Sequence, residues 1–118
     1  MSNPVSQFQI LSTAPDATAR FYGDLFGWSV DADNPMGYRR ISTGSSQGIQ
    51  GGIWPAPPQA PNFVQLFITV EDVGVSVKKA EQLGAKLLIP PTVLPDGECM
   101  AVLHDPQGMS FAVWSEKR

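Results

Sequence analysis

One stretch of this chain is written twice. Gly48-Ile49-Gln50-Gly51-Gly52-Ile53-Trp54 and Gly108-Met109-Ser110-Phe111-Ala112-Val113-Trp114 share their glycine and their tryptophan at a constant offset, Gly48 to Gly108 and Trp54 to Trp114. The same order of elements precedes each copy. Ser6–Leu11 alternates polar and apolar residues as a strand with one buried face does, and Thr13-Ala14-Pro15-Asp16 then opens a helix. Pro15 suits its first turn, Thr13 or Asp16 supplies a cap, Ala17, Phe21 and Leu25 line one face, and Gly27 stops it. In the second half Gln65–Val70 is the strand, Glu71-Asp72 leads into a helix with Val73, Val77 and Ala80 on one face, and Gly84 closes it. A duplication of this kind, with only two copies, requires the units to pair rather than to stack into an array.

The remaining strands are expected at Trp28–Val30 and Tyr38–Ser42, and at Lys86–Ile89 and Cys99–Leu103, so that each half reads strand, helix, three strands. Trp54–Pro61, with four prolines in eight residues, reads as a stiff extended connector. With 118 residues the chain is expected to form one domain, module one spanning 1–57 and module two 58–118. Its net charge of −3 and lack of a basic cluster argue against nucleic acid and anionic membrane as partners. Met1-Ser2-Asn3-Pro4 does not begin a signal peptide, and no apolar run approaches a membrane span, so a cytoplasmic location is expected. Cys99 is the single cysteine, which excludes an intrachain disulfide and a cysteine zinc cluster.

Phe21-Tyr22-x-x-Leu25-Phe26-Gly27-Trp28 after a strand, and Asp105-Pro106-x-Gly108 before a final apolar strand, resemble the vicinal-oxygen-chelate superfamily, which includes glyoxalase I, extradiol dioxygenases and bleomycin-resistance proteins. The resemblance covers essentially the whole chain. It implies an α+β fold of two βαβββ modules forming an eight-stranded cup, commonly a homodimer. In the metalloenzymes of the superfamily the first strand of each module supplies His or Gln to a divalent ion, and the last strand supplies Glu. Carried onto this chain, those positions are Gln7 and Gln65, Gly52 and Ala112. Glycine and alanine offer no donor, and two neutral amides bind a dication feebly, so no metal and no other cofactor is expected.

Strand alternation places Gln7, Gln9, Gln65, Phe67 and Thr69 toward the cup, with Gln50, Gly52, Trp54, Ser110, Ala112 and Trp114 from the closing strands. Phe8, Ile10, Leu66, Ile68 and Val70 are then left to the helices, with Ile49, Ile53, Met109, Phe111 and Val113. The candidate ligand-binding residues are therefore Gln7, Gln9, Gln50, Gly52, Trp54, Gln65, Phe67, Ala112 and Trp114, the small ones leaving open volume. No catalytic residue stands out. His104, the single histidine, reads as structural or solvated; Cys99 reads as core; Gly44–Gly48 reads as a hairpin loop rather than a phosphate cradle; and Arg39 and Arg40 point to opposite faces of a strand. The leading expectation is a metal-free domain that binds a small apolar or aromatic molecule. The alternatives are a metal-dependent lyase or dioxygenase with unusual ligands, and a non-catalytic structural or regulatory domain.

Overall fold

The computed structural model describes residues 3–34 and 36–116. Its elements run β1 (Val5–Ser12), α1 (Pro15–Phe26), β2 (Ser29–Asp31), β3 (Arg39–Ser42), β4 (Gln50–Pro55), then β5 (Phe63–Thr69), α2 (Val73–Gln82), β6 (Lys86–Val93), β7 (Cys99–His104) and β8 (Ser110–Ser115). This is an α+β fold of two βαβββ modules with eight strands, and the duplication read from the two Gly-to-Trp segments is structural. The chain forms two compact units, one of Gln7–Gln65 and one of the residues from Leu66 onward together with the segment ending at Ser6. No helix among the described residues is long and apolar enough to cross a membrane.

In the Gln7–Gln65 unit the strand order is β2-β3-β4-β1. β1 and β4 run parallel, with Phe8 opposite Gly51, Gln9 opposite Gly52 and Leu11 opposite Trp54. Gly51 is the reason the two strands fit: a Cβ there would lie 2.5 Å from both the Phe8 ring and the Phe8 carbonyl oxygen. The Gly44–Gly48 segment is the hairpin between antiparallel β3 and β4. The Trp54–Pro61 connector, expected to be stiff and extended, instead turns after β4: Ala60 N–H donates to the Pro57 carbonyl at 3.0 Å, and Gln59 takes a left-handed φ of 66°. Proline suits such a turn as well as it suits an extended run.

Helix α1 corrects two expectations. Its N-cap is Ala14, not Thr13 or Asp16, and no side chain caps it. Ser12 serves nearby instead, its Oγ accepting from the Ala14 N–H at 3.0 Å and hydrogen-bonded to Thr18 at 2.7 Å. Asp16 binds Arg39 of β3 at 2.9 Å. The face of the helix toward its sheet carries Pro15, Thr18, Ala19, Tyr22 and Gly23, all half-buried, while Ala17, Phe21 and Leu25 are exposed. Both stripes satisfy the helical period, so spacing alone does not choose between them. Gly27 ends the helix as expected, at φ 75° with its N–H on the Gly23 carbonyl.

In the other unit the order is β5-β8-β7-β6. Here the helical face was read correctly: Val73 and Val77 are buried, and with Ala80 they pack on Val70, Cys99, Ala101, Leu103 and Val113. Asp72 caps α2, its carboxylate accepting from the Val75 N–H at 3.0 Å. β6 is longer than its expected Lys86–Ile89, and its pairing with β7 shifts register twice, once between Leu87 and Ile89 and once across Pro90-Pro91, which is tolerable because β6 lies at the end of the order. Three residues assigned to the helices are instead exposed. Ile49 and Met109 fall in the turns just before β4 and β8, and Leu66 is 47% exposed on β5.

Candidate functional site

On β1, Ser12 bonds α1, so the opposite alternation of Gln7, Gln9 and Leu11 lies on the face of the sheet away from that helix. Through the parallel register, Gly52 and Trp54 of β4 join them, and Arg40, paired with Gly52 from β3, lies on the same face. Gln50 begins β4 and is exposed. Gln9 is 2% exposed, and its Nε2 donates to Gln7 Oε1 at 2.9 Å. Gln9 Oε1 is left buried with no donor among the described residues. A buried acceptor without a partner is costly, and it marks a place where an N–H or O–H donor would be gained.

Gly52 does not open a cavity. A Cβ at that position would overlap the Tyr38 ring. The ring fills the space that the missing side chain vacates, and it lies against Trp54 with centroids 4.6 Å apart and planes tilted by 32°. Trp54 is half-buried, and its indole N–H has no partner among the described residues. Sequence reasoning overlooked Tyr38, which it treated only as the start of a strand. The available signal was Gly51-Gly52, since paired glycines inside a strand mark a close approach by something else.

The corresponding face of the other unit holds Phe67, Val102 and Ala112, all buried, with Met100 and Trp114 packed against them. Ala112 is fully buried within this cluster. Trp114 differs from its repeat partner Trp54 in having its N–H committed: it donates to Ser6 Oγ at 3.0 Å, which in turn is hydrogen-bonded to Thr69 Oγ1 at 2.7 Å. On β5, Gln65 and Phe67 form the buried alternation. His104 ends β7 half-buried, opposite Ser110 and on the alternation of Met100 and Val102. Cys99 is fully buried in the core beneath α2, where packing accounts for it.

The residues do not fit a divalent metal. At position 52 a donor side chain would compete with Tyr38 for the same space, and at 112 there is only a buried methyl. Gln7 Oε1, the atom that would face a cation, already accepts from Gln9. Among the described residues no three His, Cys, Asp or Glu side chains are grouped to hold an ion. What remains is an aromatic pair beside two amides, able to offer apolar area and directional hydrogen bonds.

Comparison with known proteins gives the chain its place. The family described as "Glyoxalase-like domain" matches residues 7–114. CFP32 of Mycobacterium bovis, named a candidate glyoxylase, is 30% identical over 115 residues, covering 91% of this chain and 43% of its own length. The anthracycline biosynthesis protein DnrV of Streptomyces peucetius is 28% identical over 119 residues, covering 86% and 43%. The chain thus spans less than half the length of these curated relatives. Among solved structures, a hypothetical protein of Bacillus halodurans superposes with TM-score 0.69 at 16% identity, covering all of this chain and 97% of that one. Methylmalonyl-CoA epimerase of Streptomyces coelicolor does so with TM-score 0.63 at 17% identity, covering 97% of each chain. At such identities the likeness is one of fold. The chain belongs to the glyoxalase-like domain family of the vicinal-oxygen-chelate superfamily.

Proposed function

We propose that this domain binds a planar, weakly polar organic molecule without the help of a metal, on the sheet face that carries Tyr38 and Trp54. The observation that carries the reading is an aromatic surface at the position the resemblance assigns to a metal ligand: Gly52 admits the Tyr38 ring, and the ring lies tilted against Trp54. Aromatic side chains bury much area at small entropic cost, and the amides of Gln7 and Gln9 fix orientation. The relative named for anthracycline biosynthesis supports a polycyclic aromatic ligand class.

Calorimetric titration with an anthracycline aglycone, and then with a panel of planar aromatic metabolites, tests the reading. Trp54→Ala and Tyr38→Ala should each weaken binding by about 1–3 kcal/mol, the range for losing a large apolar contact. Gln7→Ala should cost about 0.5–1.5 kcal/mol, as one neutral hydrogen bond does. A compound that binds both aromatic variants, still folded, as tightly as the parent protein would place its site elsewhere.

A further inference from the structure

Arg39 and Arg40 stand side by side on β3, and strand alternation sends them to opposite faces of the sheet. Arg39 turns toward α1, where its Nε donates to Asp16 Oδ1 at 2.9 Å. Arg40 lies on the other face, in a row that the strand registers define: Gln9 of β1 opposite Gly52 of β4, Gly52 opposite Arg40, and Arg40 opposite Asp31 of β2. Because the Tyr38 ring fills the space over Gly52, Arg40 stands one strand spacing, about 4.8 Å, from the residue that seats the aromatic surface.

Residues 7–65 contain three cations, Arg20, Arg39 and Arg40. Arg20 belongs to α1 and Arg39 is paired with that helix, which leaves Arg40 as the one cation of this unit on the aromatic face among the described residues. It is exposed and makes no ion pair among the described residues, although the chain has 11 acidic residues to 8 basic ones. Asp31, placed opposite it, instead accepts the Asp33 N–H at 2.8 Å.

We propose that Arg40 reads a carboxylate on the ligand, so that the molecule bound on the Tyr38–Trp54 face is a planar aromatic acid. The inference rests on the binding reading of that face and adds a charge to it. A guanidinium presents its N–H donors in a rigid fork, which a carboxylate satisfies in pairs and a single neutral carbonyl does not. The row divides recognition between its two ends. Gln7 and Gln9, on the β1 side of Gly52, suit neutral polar substituents, and Arg40, on the β3 side, suits the ionised one; the charge thus fixes which edge of the ring points toward β3. Asp31 is a built-in competitor for the same guanidinium.

The probes are anthracene-2-carboxylate and its neutral amide, titrated calorimetrically into the full chain at neutral pH, with circular dichroism confirming that each variant is folded. At low salt the acid should bind roughly fivefold to tenfold more tightly than the amide, and about 0.5 M salt should remove most of the difference. Arg40→Gln should bring the acid to the level of the amide or below it while leaving the amide within about twofold, and Arg40→Lys should keep part of the preference. Arg39→Gln, the same loss of charge on the opposite face, should leave the preference intact, and Asp31→Asn should increase it. Trp54→Ala should weaken both probes. Equal binding of acid and amide overturns the proposal, as does a preference that survives Arg40→Gln or is lost equally in Arg39→Gln; in each of these cases a loss of binding in Trp54→Ala still upholds the aromatic face. Acid binding that Trp54→Ala leaves unchanged overturns it too, because the charge is then read away from the aromatic pair. If neither probe binds, both readings fall.

Discussion

The consequential contacts in this protein are made where a side chain is missing. Position 52 is glycine, and the Tyr38 ring occupies what would be its Cβ. Gly52→Ala should therefore destabilise the fold by about 1–3 kcal/mol, the usual cost of overpacking, and the loss should largely vanish in a Tyr38→Ala background. Thermal or urea unfolding of the four proteins of that cycle measures the coupling; additive losses would mean that the ring is not what fills the space. Gly51→Ala should cost at least as much, with no such rescue, because one of the atoms its Cβ would meet is the Phe8 backbone oxygen. Gln9 poses the opposite case, a large polar side chain kept where an apolar one would fit. Its Oε1 is buried without a donor, so Gln9→Met, close in volume, should leave stability within about 1 kcal/mol of the parent or raise it. A loss of several kcal/mol on unfolding would mean instead that the Gln9 amide is held by a hydrogen-bond partner.

At the level of elements, the two helices show what the repeat preserved and what it released. Asp72 caps α2 through the Val75 N–H, whereas Ala14 gives α1 no side-chain cap. Asp72→Ala should lower stability by about 0.5–2 kcal/mol, read from the urea midpoint at unchanged slope. The element order, the duplication, the Gly27 stop and the buried face of α2 were all legible in the sequence, because each rests on a local rule: period, proline, glycine or cap. The packed face of α1 was not. Ala17-Phe21-Leu25 and Pro15-Ala19-Tyr22 both repeat at helical spacing, and only tertiary contact shows which one meets the sheet. Gln9, Gly52, Trp54, Phe67 and Ala112 lie on the strands expected for them, but alternation does not say what lies above a small residue. The space expected at Gly52 is taken by the Tyr38 ring from the loop before β3, and Ala112 is buried in a cluster with its strand neighbours Phe67 and Val102. Contacts of that kind depend on strand register, which one sequence specifies only loosely at β3 and β7.

For the molecule as a whole, the question that divides a binding domain from a metalloenzyme of the same superfamily is whether folding is linked to a divalent ion. A ligand that binds only the folded state stabilises it by RT ln(1 + [L]/Kd), about 2.7 kcal/mol when the ion stands at a hundred times its Kd. At a thousand times Kd, as for a micromolar site in millimolar ion, the gain is about 4.1 kcal/mol, and since each 1 kcal/mol moves the melting midpoint of a domain near this size by roughly 4–8 °C, such a site would announce itself by a shift of roughly 15 °C or more. No such site is expected here: position 52 is filled by Tyr38, position 112 is a buried methyl, and Gln7 Oε1 is engaged by Gln9. The melting midpoint should accordingly move by less than about 2 °C on adding millimolar nickel, zinc, manganese or cobalt, well below the displacement that linkage demands. Elemental analysis after dialysis should find each of these metals at well under one equivalent. Removing the obstruction supplies the control. A variant combining Tyr38→Ala with Gly52→Glu frees the space and adds a carboxylate, and a nickel-dependent rise in its midpoint, absent from the parent, would identify the Tyr38 ring as what separates this chain from metal binding.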